Sequence, residues 1–204
     1  MMGYVIVIIA AYVMGSSNLA FYLSKLKKVD ARAGGSGNLG ASNATLLLGW
    51  WAGVLVAVHD IGKSALAVIL AKLFFGELPH IGAVAGVACV LGHIYPFYLK
   101  FQGGKGFASY LGMILALNWK FALVILVLVG VVTLITDYIV MGTTLTIVSS
   151  PAYLGWTSGS LILALILCIA TAVIIYKHRM NYVRIWNGTE IGLLSAVKGE
   201  HRVK

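Results

Sequence analysis

Charge is what this sequence has least of. Only 10% of its 204 residues are Asp, Glu, Lys or Arg, against about 25% in an ordinary soluble domain, which excludes a water-facing globular surface. The six acidic residues supply no paired-carboxylate constellation, and no Ser/His/Asp set occurs at a recognisable spacing. Cys89 and Cys168 both lie in apolar runs, where a thiol behaves as a small hydrophobe. They form no Cys/His cluster, so neither a metal nor another cofactor is expected.

Apolar residues take the place of charge: 60% of the chain is hydrophobic and its mean hydropathy is +0.96. A bilayer-spanning helix needs roughly 20 mostly apolar residues. Apolar runs and breakers place spans at about 3–23, 45–75, 80–99, 106–117, 119–136, 139–156 and 159–176. The expected fold is therefore an all-α integral membrane protein, a single polytopic domain over 1–204 built as a bundle of seven transmembrane helices. Five spans remain if the short 106–117 run and the Thr- and Ser-rich 139–156 run do not cross. The start, MMGYVIVIIAAYVMG, lacks a basic lead and a small-residue cleavage site, and reads as a first span rather than a signal peptide. The 45–75 run is longer than a straight crossing requires and is expected to tilt or break, with Gly62 as the nearest breaker.

Lys and Arg collect beside cytoplasmic loops. With the amino terminus outside, the polar segments 24–44, 100–106 and 177–204 all face the cytoplasm. They then contain or adjoin all but Lys63, Lys72 and Lys120 of the 15 Lys and Arg. Residues 191–204 form a basic cytoplasmic tail. The net charge of +9 thus follows membrane sidedness, and no nucleic-acid partner is expected.

Polar chemistry is concentrated in those three segments. In GGSGNLGASN the glycines Gly34, Gly35, Gly37 and Gly40 free the backbone so that amides can converge on an anion. Ser36, Asn38, Ser42 and Asn43 add side-chain donors, and Ser42 or Asn43 is placed to cap the helix that follows. A flexible linker or plain helix cap is the alternative. The stretch FQGGKGF sets Lys105 among Gly103, Gly104 and Gly106, an anion cradle with a fixed cation, or an ordinary basic turn. It is no Walker A loop, which needs Ser or Thr after its Gly-Lys pair. In YKHRMNYVRIWNGTE a continued helix puts His178, Asn181 and Arg184 on one face, with Glu190 just beyond. A basic anchor with an amphipathic tail explains the same residues.

Inside the spans, Asp60 and Lys63 are three residues apart and able to pair, with the adjoining His59 pointing elsewhere. His93, before Pro96, is placed to bond a loop carbonyl, and Asp137 to anchor a turn. Two anion cradles and a basic helix end on one membrane face point to phosphorylated small molecules handled beside lipid.

GSGNLGASN, GHIYPFYLKFQGGKGFA and HRMNYVRIWNGTE resemble, in this order, the three cytoplasmic motifs of the bacterial acyl-phosphate:glycerol-3-phosphate acyltransferase family, and DIGKS at 60–64 resembles its Asp-x-x-Lys element. The resemblance covers residues 3 to about 190. It implies a multi-pass enzyme of the bacterial inner (cytoplasmic) membrane that forms lysophosphatidic acid and phosphate from glycerol 3-phosphate and acyl phosphate. The implied partners are those substrates, the lipid bilayer and a functional link to an enzyme that makes acyl phosphate. Carried onto this chain, the catalytic residues are Ser36, Lys105, His178 and Asn181. Gly37, Asn38, Gly40, Asn43, Gly103, Gly104, Gly106 and Arg184 bind substrate, and Asp60, Lys63, His93 and Glu190 support them. Two positions depart from the family pattern: Leu46 stands where an Arg is usual, and Met180 where a Glu is common. The rival class is a transporter or channel for a phosphorylated solute, and a structural scaffold would leave the glycine loops idle.

Overall fold

The computed structural model describes residues 1–35 and 37–193, so Ser36 and the tail 194–204 lie outside the described residues. Among these every regular element is helical, with no strand. The chain forms two compact units, Met1–Asn118 and Trp119–Lys204.

The first unit begins with α1 (Met2–Ser16) and α2 (Leu19–Leu26), separated by Ser17 and Asn18. Asn18 restarts the helix: its side-chain oxygen accepts from the Phe21 amide at 2.9 Å, satisfying a donor that the new helix end would otherwise leave bare. A polar loop leads to α3 (Ala41–Leu48) and α4 (Trp50–Phe75). The long run does break, but at Gly49 rather than Gly62. Gly49 has φ 96°, a conformation open to glycine and strained for other residues, whereas Gly62 lies within uninterrupted α4. A mid-span glycine costs only about 1 kcal/mol, while opening the ladder in lipid would strand several backbone groups. Next come α5 (Ile81–Ile94), a 3-10 turn at Phe97–Leu99 and α6 (Phe107–Leu117).

Small residues let these helices approach closely. Val7 and Ala11 of α1, Ala67 and Ala71 of α4, and Ala85, Ala88 and Cys89 of α5 form one buried cluster. A Cβ on Gly15 would fall on the Cys89 carbonyl, and one on Gly112 of α6 would fall on the Ile61 carbonyl of α4. Lipid tails are as apolar as leucine, so such close contact, rather than escape from water, holds membrane helices together.

The second unit contains α7 (Trp119–Thr136), α8 (Ile139–Ser158) and α9 (Leu161–Trp186). The polar residues of α8 are satisfied within the helix: Thr143, Thr144, Thr146 and Ser150 donate to the carbonyls of Ile139, Val140, Gly142 and Thr146. Pro151 lies inside this helix and cannot supply the amide that the Ile147 carbonyl expects. Thr171 of α9 supplies the missing donor, its hydroxyl bonding the Ile147 oxygen at 2.7 Å. Thr171→Val keeps the shape and removes that donor, so it is expected to lower unfolding stability by about 1–3 kcal/mol. A denaturation midpoint in detergent unchanged from the parent would refute this role. Asp137, at the α7–α8 turn with φ 66°, accepts the Leu193 amide at its carbonyl at 2.8 Å, anchoring the end of the described chain.

Each of the seven expected spans corresponds to helix. Among the described residues, five segments are long and apolar enough to cross a bilayer: Met2–Leu26, Trp50–Phe75, Ile81–Leu99, Trp119–Thr136 and Leu161–Trp186. At about 1.5 Å per residue α6 is roughly 16 Å long, about half a hydrocarbon core. Ile9, Leu55, Leu73, Val127, Ile135, Ile162 and Leu165 are exposed, a pattern that suits lipid and not water.

Candidate active site

In the first unit, the loop after α5 is built by the residues that precede it. The amides of Gly103 and Gly104 donate to the carbonyls of Ile94 and His93, each at 3.1 Å, and the Phe101 amide donates to Pro96 at 3.1 Å. The loop is thereby folded back onto the end of α5. A Cβ on Gly103 would strike the His93 carbonyl, and one on Gly104 would strike the His93 imidazole. Gly106, at φ 99°, is the N-cap of α6, so Lys105 stands next to a helix amino terminus, where amides and dipole favour an anion.

The 30–40 loop has the same character. Asp30 accepts the Arg32 amide at 2.9 Å, Gly37 donates to the Gly34 carbonyl at 3.0 Å, and Gly35 and Gly37 have φ near 60°. Neither Ser42 nor Asn43 caps α3. The N-cap is Gly40, without a side-chain bond, because α3 starts at Ala41, two residues earlier than a Ser42 cap would set, and takes both side chains into its first turn. Asn43 is instead buried, its amide donating to the Ala31 carbonyl at 2.7 Å, so it shapes the loop from inside. The Asn38 amide lies beside Gly40, 2.9 Å from where a Cβ would be. Leu46 of α3 is exposed.

In the second unit, α9 continues through Trp186 and carries His178 and Asn181 as buried residues on one face. The His178 Nδ1 donates to the Ile174 carbonyl at 2.9 Å, so in the neutral ring Nε2 is the basic nitrogen. Glu190 returns to the helix: one carboxylate oxygen accepts from Asn181 Nδ2 at 2.5 Å and the other from Arg184 Nε at 2.5 Å. Glu190 thus ties amide and guanidinium together, and Met180 is exposed.

A buried polar cluster lies behind the glycine loops of the first unit. Lys63 Nζ is 2.8 Å from Asp60 Oδ1, donates to the Ser17 carbonyl at 2.6 Å and contacts His93 Nδ1 at 3.0 Å. An ammonium only donates, so Nδ1 accepts and a neutral His93 carries its proton on Nε2. His59 belongs to this cluster, contrary to expectation: Nδ1 lies 3.2 Å from Asp60 Oδ1 and Nε2 lies 3.1 Å from the Ser17 hydroxyl. Adjacent helical side chains diverge, but an imidazole is long enough to reach its neighbour. His93 also differs from expectation, since its ring bonds the cluster while its backbone carbonyl serves the loop. Ser17, Asn18 and His59 carried no spacing signal for a site, although Asn18 before an apolar run has the form of an N-cap. Among the described residues no group is arranged to hold a metal ion.

Among the described residues, helices able to cross a bilayer, joined by glycine-rich loops and carrying one compensated charge cluster, define an integral membrane protein. The family model for glycerol-3-phosphate acyltransferase matches residues 5–188. A glycerol-3-phosphate acyltransferase of Prochlorococcus marinus (strain MIT 9301) is 33% identical over 189 residues, covering 91% of this chain and 95% of the relative. One from Clostridioides difficile (strain 630) is 36% identical over 195 residues, covering 92% and 94%. A crystal structure of PlsY, an integral membrane glycerol 3-phosphate acyltransferase in its glycerol 3-phosphate form, matches with a TM-score of 0.88 at 32% identity, over 95% of this chain and 97% of that one. This chain belongs to the glycerol-3-phosphate acyltransferase family.

Proposed function

We propose that this chain is a multi-pass acyltransferase of the bacterial inner membrane. It moves a fatty acyl group from acyl phosphate to the sn-1 hydroxyl of glycerol 3-phosphate, giving lysophosphatidic acid and inorganic phosphate for phospholipid synthesis. The observation that carries this reading is the Gly103–Gly106 loop, locked to the His93 and Ile94 carbonyls and carrying one lysine beside a helix amino terminus. Such a loop suits phosphoryl oxygens. The proposed topology has seven spans in one polytopic domain, with the amino terminus outside and the three polar segments in the cytoplasm.

Acyl phosphate is a mixed anhydride with a good leaving group, so no acyl-enzyme is required. The sn-1 oxygen attacks the acyl carbon, the new ester C–O bond forms, and the bond from that carbon to the phosphate oxygen breaks with its electron pair going to phosphate. The hydroxyl proton passes to His178 Nε2 or to a substrate phosphate oxygen. Lys105 and the loop amides neutralise phosphate charge, positioning and charge stabilisation being the main catalytic terms here. Ser36 and Asn38 bind, and Asn181 and Arg184, fixed by Glu190, orient substrate. Gly37, Gly40 and Asn43 shape the first loop. An enzyme that makes acyl phosphate is the functional partner, since this anhydride must be supplied.

The test uses purified protein with synthetic acyl phosphate and labelled glycerol 3-phosphate. Labelled lysophosphatidate is the expected product, whereas vesicle uptake without acyl transfer would favour a transporter. Run on Leu46→Arg, the same assay is expected to show a KM for glycerol 3-phosphate lower by about tenfold, the value of one charge-assisted bond to phosphate. An unchanged KM would remove Leu46 as a determinant of affinity.

A further inference from the structure

The Asp60–Lys63 cluster is too costly to be filler, since a buried cation must be fully bonded to persist. Lys63 meets that requirement with three partners from three parts of the chain: Asp60 on its own helix, the Ser17 carbonyl between α1 and α2, and the His93 ring at the end of α5. Two of these contacts lead directly to the glycine loops. On one side, the Ser17 carbonyl belongs to the peptide joining Ser17 to Asn18, and the Asn18 side-chain Nδ2 donates to the Leu39 carbonyl of the first loop at 3.2 Å. His59 holds the same point through the Ser17 hydroxyl. On the other side, the His93 ring fills the space against Gly104, and the His93 carbonyl takes the Gly104 amide. The loops themselves are glycine-rich and have little stiffness of their own.

We propose that Lys63 is a positioning residue whose buried ammonium, bonded at once to Asp60, the Ser17 carbonyl and His93, sets the geometry of both glycine loops. Asp60 compensates its charge, and His59 and His93 extend its reach. The loop amides and Lys105 are thereby held ready before substrate arrives, the condition under which charge stabilisation is most effective.

Lys63→Met alone strands Asp60 in the interior and compromises folding for that reason alone; the informative variant is therefore Asp60→Asn/Lys63→Met, which removes both charges and keeps both volumes. If the pair served only to cancel charge, this double variant would restore everything. The expected result is a thermal midpoint close to that of the parent, with amide hydrogen exchange at least tenfold faster in both 31–40 and 100–106 and unchanged in α7–α9. The KM values for glycerol 3-phosphate and acyl phosphate are expected to rise tenfold or more. Parental exchange in either loop, or parental KM for both substrates, would overturn the proposal. The kinetic arm rests on the acyltransferase reading and the exchange arm does not, so a parent protein without acyl transfer removes that reading and leaves the exchange result to decide.

Discussion

Replacing Lys105 with alanine is expected to reduce kcat/KM for acyl transfer by about a hundredfold to a thousandfold, the range for losing one preorganised group that stabilises developing charge. The reasoning begins with the loop. Gly103 and Gly104 are tied down by amide bonds to α5, and Gly106 turns the chain into α6, so the base of the lysine is fixed on both sides. The side chain is neither fully buried nor fully exposed, so its removal is expected to cost less folding stability than truncating a core residue, and the loss in catalysis should exceed the loss in stability. Lys105→Arg keeps the charge but replaces a compact ammonium with a planar fork, and it is expected to recover only part of the activity. A Lys105→Ala protein with the parent's kcat/KM would remove this residue from the mechanism.

Much of this was readable from residue order alone, and the exceptions share a cause. Apolar runs located the helices because a bilayer sets a minimum length and tolerates little charge. The three polar segments stood out because glycine, lysine and asparagine have no role in lipid-facing packing. The break at Gly49 was misplaced to Gly62, since the choice depends on which glycine adopts a positive φ, and composition does not report φ. Asn43 looked like a cap because its type suits one, yet α3 begins at Ala41 and the side chain turns inward to Ala31. The bond from Thr171 to the carbonyl opposite Pro151 joins residues 24 apart, and only the packing of α8 on α9 brings them together. His59 was read as pointing elsewhere, and Ser17 escaped notice, for the same reason: the bond between them joins residues 42 apart and depends on the packing of α4 against the α1–α2 junction.

Gly104→Ala tests whether that packing controls the chemistry, and it is expected to cost at least about a hundredfold in kcat/KM. A methyl at this position would fall on the His93 imidazole. That ring is held by Lys63 at 3.0 Å and is almost wholly buried, so it has no free direction in which to yield. The loop must lift instead, weakening the bond from the Gly104 amide to the His93 carbonyl and shifting Lys105, which follows directly. A displacement near 1 Å at a positioning group is enough to cost about two orders of magnitude in rate. Gly62→Ala is the matched control: a Cβ there meets nothing within 4 Å, and alanine in a helix interior is favoured over glycine by roughly 0.5–1 kcal/mol. The control should therefore retain activity and unfold at an equal or higher midpoint. Parental turnover in Gly104→Ala would mean that the loop absorbs the methyl without moving Lys105, and the claim that the His93 wall sets the position of that lysine would fall.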